Sequence, residues 1–275
     1  MAVRTLTTTK DYLISTPLPQ ATETYTVIEH GFVINKTLEL LASKGFEVKN
    51  ELYRCNQSGE LAQGVYHLNY GSDPDMGMMF AWSNSYNKQM RFKCAIGGYV
   101  FVCMNGMVSG NMGSWGRVHT GNAHQETNDT ITLQIDSADL YYNQLVKDKE
   151  SMKTITVDKK KTAELVGRLF LEHGLLGLEQ VSIVKQEINK PSYQYTGPAD
   201  SLWVLYNHIT HSLKKSSPRI WMDQQRLIHW FLTDEFGIKD DSITTVNNVD
   251  IVHPPKVISN QIDLLDSIQE IQANG

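Results

Sequence analysis

Residues 76–122 constrain this chain more than any other stretch. Two apolar, β-prone segments joined by a short polar turn cannot bury their faces alone, so they demand a sheet at the centre of the molecule. Met78, Phe80 and residues 82–86 read as one strand, with Ser83 and Ser85 alternating with Trp82, Asn84 and Tyr86. Asn87-Lys88-Gln89 is the predicted hairpin connection. The return segment puts Met90, Phe92, Cys94 and Ile96 on one face and Arg91, Lys93 and Ala95 on the other. That alternation predicts a half-buried antiparallel strand with one wet, basic side. Gly97-Gly98 predicts a turn or bulge, after which residues 99–104 resume as an apolar strand. Asn105-Gly106 is a turn dipeptide, and Gly110, Gly113 and Gly116 then lead to Arg117-Val118-His119-Thr120.

The flanking segments supply a helix in front and helices behind. Residues 1–24 are rich in Thr and Pro and predict an extended arm. Ile34, Leu38 and Leu41 give a short amphipathic helix over 33–43, closed by Lys44-Gly45. Residues 46–55 and 65–70 read as strands flanking a polar turn at 56–60. From 129 to 152 the apolar period predicts one long helix, and 162–173 a second with Gly174 as its stop. Lys159-Lys160-Lys161 reads as a solvated, flexible connector. Residues 181–188 fit strand or helix equally, and 191–198 form a polar, proline-bounded loop with two tyrosines. Asp200 or Ser201 caps a helix carrying Leu202, Leu205, Tyr206, Ile209 and Leu213; Ile220, Leu227, Ile228, Trp230 and Phe231 predict another. The fold class expected is α+β, a mostly antiparallel sheet in the N-terminal half packed with helices from the C-terminal half. Three parts follow: an arm at 1–24, one α+β domain at 25–232, and at 233–275 an acidic linker with an amphipathic helix along Ile258, Ile262, Leu265, Ile268 and Ile271.

Charge matters only when divided along the chain. The formal net charge is −5. From Asp234 onward eight acids and two lysines carry −6, which leaves +1 for the remainder. A strongly basic nucleic-acid binder is excluded, while a local basic face is not. Cys55, Cys94 and Cys103 are odd in number and have no paired spacing, so they read as buried free thiols of a reducing cytosol. The N-terminus has no signal-type apolar core, and no run reaches membrane-spanning length.

Three motifs resemble a known family. The apolar strand into Cys103-Met104-Asn105-Gly106, the following Arg117-Val118-His119-Thr120-Gly121-Asn122 and the helix Leu202-Trp203-Val204-Leu205-Tyr206-Asn207-His208-Ile209-Thr210 look like the large phage- and plasmid-borne family catalogued as domain of unknown function 932, over about residues 25–231. The family's Cys-Asn and Arg-His pairs are each split here by one residue, Met104 and Val118, and His208 and His211 stand where small and acidic residues are expected. The resemblance implies a mobile-element protein and brings no activity with it.

Catalytic, metal and cofactor chemistry all read poorly. His208-x-x-His211 lacks the zincin glutamate, and a polar helix face accounts for both histidines. Cys103 sits in the most apolar run, where a thiolate is disfavoured. Gly110-x-x-Gly113-x-x-Gly116 is neither a Walker loop nor a dinucleotide fingerprint. An enzyme using His119 with Arg117 is therefore the least favoured reading. The leading expectation is a non-enzymatic, self-associating binder of single-stranded nucleic acid, acting in replication or recombination of its element. Lys88, Arg91, Lys93, Arg117 and His119 would contact the backbone, and Trp82, Tyr86 and Trp115 would stack on bases. The alternative is a counter-defence or host-takeover protein that binds a host protein through its sheet edges and acidic tail.

Overall fold

The computed structural model describes residues 5–20, 26–88, 90–108 and 122–238. Its architecture is α+β. Six strands, β1 (Leu6–Thr8), β2 (Val48–Cys55), β3 (Leu61–Leu68), β4 (Met76–Ser85), β5 (Lys93–Val100) and β6 (Gly106–Met107), form one antiparallel sheet in sequence order. Two helices precede β2: α1 (Lys10–Ser15) and α2 (His30–Ser43). Behind the sheet come α3 (Ala123–Asp136), α4 (Ala138–Thr154), α5 (Lys159–Gly167), α6 (Leu178–Asn189), α7 (Leu202–Ser212) and α8 (Trp221–Glu235).

The sheet is covered on both sides. Every residue of β4 is buried, and of β5 only Lys93 is not. One face carries Tyr66, Phe80, Trp82 and Asn84, whose carboxamide donates to Ile28 O at 2.7 Å just ahead of α2. Trp82 is 0% exposed and donates from its indole to Tyr66 Oη at 3.0 Å. The opposite face carries Ser83 and Lys93 and meets the first turn of α8. The wet, basic face expected from Arg91, Lys93 and Ala95 is not open along β5: Ala95 is buried, and a distant helix lies across Ser83 and Lys93.

Gly97-Gly98 does not break β5. Both lie in the ladder opposite Met79 and Met78, and their lack of a Cβ admits Met107 O on one side and the Met76 side chain on the other. The turn falls later, at residues 101–105, where Met104 takes a φ of 57°.

The helices depart from expectation at their ends. The long helix is two, α3 and α4, meeting at Ser137, which leaves helical geometry at ψ 8°. Lys159-Lys160-Lys161 is the first turn of α5, because Asp158 caps it by accepting from Lys161 N at 2.7 Å. Residues 168–172 continue as a π-turn stopped by Gly174 at φ 60°. Residues 181–188 are helical, within α6. Ser201 caps α7 as its sequence predicts. Part of the N-terminal arm is packed: β1 forms the sheet edge, and α1, capped by Thr9, buries Leu13. The C-terminal amphipathic helix expected over 258–271 lies outside the described residues.

Candidate nucleic-acid interface

A polar row crosses four strands. Arg54 on β2 faces Gln63 on β3, Gln63 faces Ser83 on β4, and Ser83 faces Lys93 on β5, so all four side chains share one face. Arg54 Nε donates to Gln63 Oε1 at 2.9 Å, and Gln63 Nε2 reaches Ser83 Oγ at 3.5 Å. With strands about 4.8 Å apart, the row spans roughly 14 Å. A cation stands at each end. Burial pulls the Arg54 guanidinium down to about 10, which still leaves it charged at neutral pH.

The start of α8 closes the row. Arg54 lies 5.7 Å over the Trp221 ring, Ser83 Oγ lies 3.6 Å from Met222 Sδ, and Lys93 Nζ donates to Asp223. Arg54 also donates to Lys214 O at 3.1 Å, which joins the single 3₁₀ turn Leu213–Lys215 to the same end. Four exposed cations lie on the segments that lead into it: Lys88 and Arg91 between β4 and β5, and Lys215 and Arg219 in the approach to α8. Lys214 is committed elsewhere, donating to Cys103 O and lying 5.4 Å over the Tyr193 ring.

The residues expected to bind a polynucleotide thus divide. Lys88 and Arg91 are exposed between β4 and β5, and Lys93 at the start of β5 is paired to the Asp223 carboxylate. Trp82 is inside the core and cannot stack on a base. Tyr86 is also buried, its ring stacked on His30 at 3.9 Å and its hydroxyl accepting from His30 N at 2.7 Å. Trp115, Arg117 and His119 lie outside the described residues. Arg54, Gln63, Lys215 and Arg219 were missed. The turn at 56–60 fixes the Arg54–Gln63 pairing and could have revealed the first two, but nothing local links the last two to the hairpin.

A second polar centre gathers the remaining motif residues. Cys103 Sγ lies 3.8 Å from Asn207 Oδ1, and Asn105 Nδ2 donates to Asn207 O at 3.0 Å, so the 101–105 turn is fastened to α7. Burial pushes the Cys103 thiol up, away from thiolate chemistry. His208 Nδ1 and His211 Nε2 stand 4.0 and 3.8 Å from the buried Glu187 carboxylate of α6, and burial holds both imidazoles below their ordinary range. His208 is itself buried, so the polar side of α7 faces inward. No group of three metal-ligating side chains converges among the described residues.

The motif helix and the Cys-x-Asn turn, far apart in sequence, meet in one buried contact, and the family model named Domain of unknown function (DUF932) matches residues 17–231. The chain belongs to this family. No curated protein and no solved structure matches it. The DUF932 match runs from the end of α1 almost to the end of α8, so it takes in five of the six strands and the polar row. No helix among the described residues of this DUF932 protein is long and apolar enough to cross a membrane.

Proposed function

We propose that this chain is a non-enzymatic, self-associating binder of single-stranded nucleic acid, an accessory protein of a phage or plasmid acting in the bacterial cytoplasm during replication or recombination of the element. One observation carries the reading: Lys88, Arg91, Lys215 and Arg219 are exposed on the segments that lead into a polar row whose ends are the anchored cations Arg54 and Lys93. Exposed cations beside anchored ones follow a phosphate backbone without reading sequence. Of the carboxylates at this end, Asp223 is engaged by Lys93, and Glu60 lies behind the hairpin, where its backbone oxygen accepts from Tyr86 N at 2.7 Å. The test is fluorescence anisotropy with a labelled dT20 at low salt. Wild type binds, and the variant Lys88→Ala/Arg91→Ala/Lys215→Ala/Arg219→Ala, changed only at exposed positions, loses at least about tenfold in affinity. Absence of wild-type binding at low salt ends the reading.

A second reading has its own observation. Phe101, Val102 and Met104 are 43%, 53% and 44% exposed on a turn held by Met104 N to Val100 O at 2.7 Å and Phe101 N to Asp75 O at 2.9 Å. A rigid apolar knob of this kind suits a host-protein partner. Val102→Asp would then abolish co-purification of that partner while leaving dT20 binding unchanged.

A further inference from the structure

A cleft of about 730 Å³ opens between the end of α1, α2 and the start of α3. Its walls combine two kinds of side chain. Ile14, Leu18, Phe32, Tyr86 and His124 supply apolar and aromatic surface, with the Phe32 and His124 rings edge to face at 4.8 Å and 80°. Asn35, Gln125 and Asn128 supply carboxamides. Gln125 donates to Asp129 Oδ1 at 2.7 Å, which orients its amide. Asn128 Oδ1 is buried and has no hydrogen-bond partner among the described residues.

This chemistry selects its occupant. The charged groups in the walls are Glu29, Glu39 and Lys36, and Lys36 is already paired with Glu39 at 2.9 Å, so a phosphate would meet a net negative wall. Aromatic faces with carboxamide edges suit a neutral, planar heterocycle with donors and acceptors on its rim. Position adds the second argument. Tyr86 lines the cleft and lies two residues before Lys88 and five before Arg91, so the cleft and these two cations share one β4–β5 connection. We propose that the cleft receives one unpaired nucleobase of a bound single strand. The inference rests on the single-strand reading above. It adds that the chain distinguishes a strand bearing bases from a bare sugar-phosphate polymer, and that the bases enter here rather than stacking on Trp82.

The test compares dT20 and dA20 with an abasic deoxyribose-phosphate 20-mer by anisotropy at low salt. Three proteins are needed: wild type, Gly31→Phe and Asn35→Ala/Gln125→Ala. Gly31 lines the cleft, and a Cβ there makes ordinary contact with Ile14 at 3.6 Å, so the added ring extends from the cleft wall. Asn35 and Gln125 are exposed, so the second variant keeps a folded protein available if the first does not fold. Wild type should prefer at least one base-bearing strand over the abasic polymer by about tenfold, and both variants should lose that preference while holding the abasic polymer as before. Equal wild-type affinity for all three polymers overturns the inference and leaves the single-strand reading standing. An unchanged preference in both variants also overturns it. Failure of wild type to bind any of the polymers overturns both.

Discussion

Lys93 on β5 donates to Asp223 in the first turn of α8, 130 residues away in the chain, and this pair closes one end of the polar row that crosses the sheet. Both side chains keep some solvent access, 18% and 34%, so the pair adds little to folding, well under about 1 kcal/mol. Its larger effect is electrostatic. Asp223 occupies the cation that a phosphate would otherwise meet. Asp223→Asn should therefore tighten dT20 binding several-fold at low salt with the thermal midpoint almost unchanged. Weaker binding by Asp223→Asn would show that the carboxylate positions the surface instead of masking it.

Lys149 should be among the least replaceable cations. Its side chain is fully buried and meets Asp73 at 2.5 Å and Asp75 at 3.4 Å, tying α4 to the loop before β4. Burial alone would lower the ammonium, yet the Asp73 and Glu150 contacts hold it above its ordinary value. Lys149→Met leaves the largely buried Asp73 carboxylate without its cation, while Asp75 keeps Lys153 at 2.7 Å, and should cost about 3–5 kcal/mol, read as a fall in the urea midpoint. A loss under about 1 kcal/mol would contradict the buried pairing.

Acid should destabilise the fold through neutral buried histidines. His67 stacks on Tyr99 at 4.0 Å, and burial pushes its imidazole down from 6.5 to about 4. The unfolded chain therefore takes up this proton first as pH falls. Stability is full above about 6.5 and declines toward 4 by up to about 1.4 kcal/mol per pH unit for this group. His208 and His211 shift in the same direction. Urea titrations between pH 7 and 4.5 should show that decline, and His67→Phe should make it shallower. An identical slope in the variant would place His67 in a solvated site.

How much of this was legible follows from where each signal resides. Period-two alternation through Met78, Phe80 and Trp82 is local, and it located β4 and the hairpin. The covering of the Ser83 and Lys93 face depends on α8, whose first turn arrives well over a hundred residues later, and no local pattern announces it. The same limit explains Trp82, a ring that suits a solvent-facing platform or a core equally by composition. Gly97-Gly98 reads as punctuation because a sequence does not display Met107 O or Met76 as its neighbours. The lysines of α5 looked like a linker because the capping role of Asp158 is a matter of geometry.

Gly64 provides a sharp test of the Trp82 placement. It faces Trp82 across the ladder, and a Cβ added there would land inside the indole. Gly64→Ala should cost about 1–3 kcal/mol by overpacking, seen as a lowered thermal midpoint. Gly31→Ala on α2 makes ordinary contact with Ile14 at 3.6 Å and should be neutral to stabilising by about 0.5–1 kcal/mol. Equal midpoints for the two variants would remove Trp82 from the core.

The claim on which the functional account depends is that cations around the β4–β5 hairpin and the start of α8 hold phosphates. The measurement is the dependence of dT20 affinity on salt for wild type and for Lys88→Ala/Arg91→Ala/Lys215→Ala/Arg219→Ala. The account predicts a linear fall of log K with log salt in wild type, and a slope reduced by about 0.7 for each lost phosphate contact in the variant, near 3 in total. Identical slopes for the two proteins would contradict it.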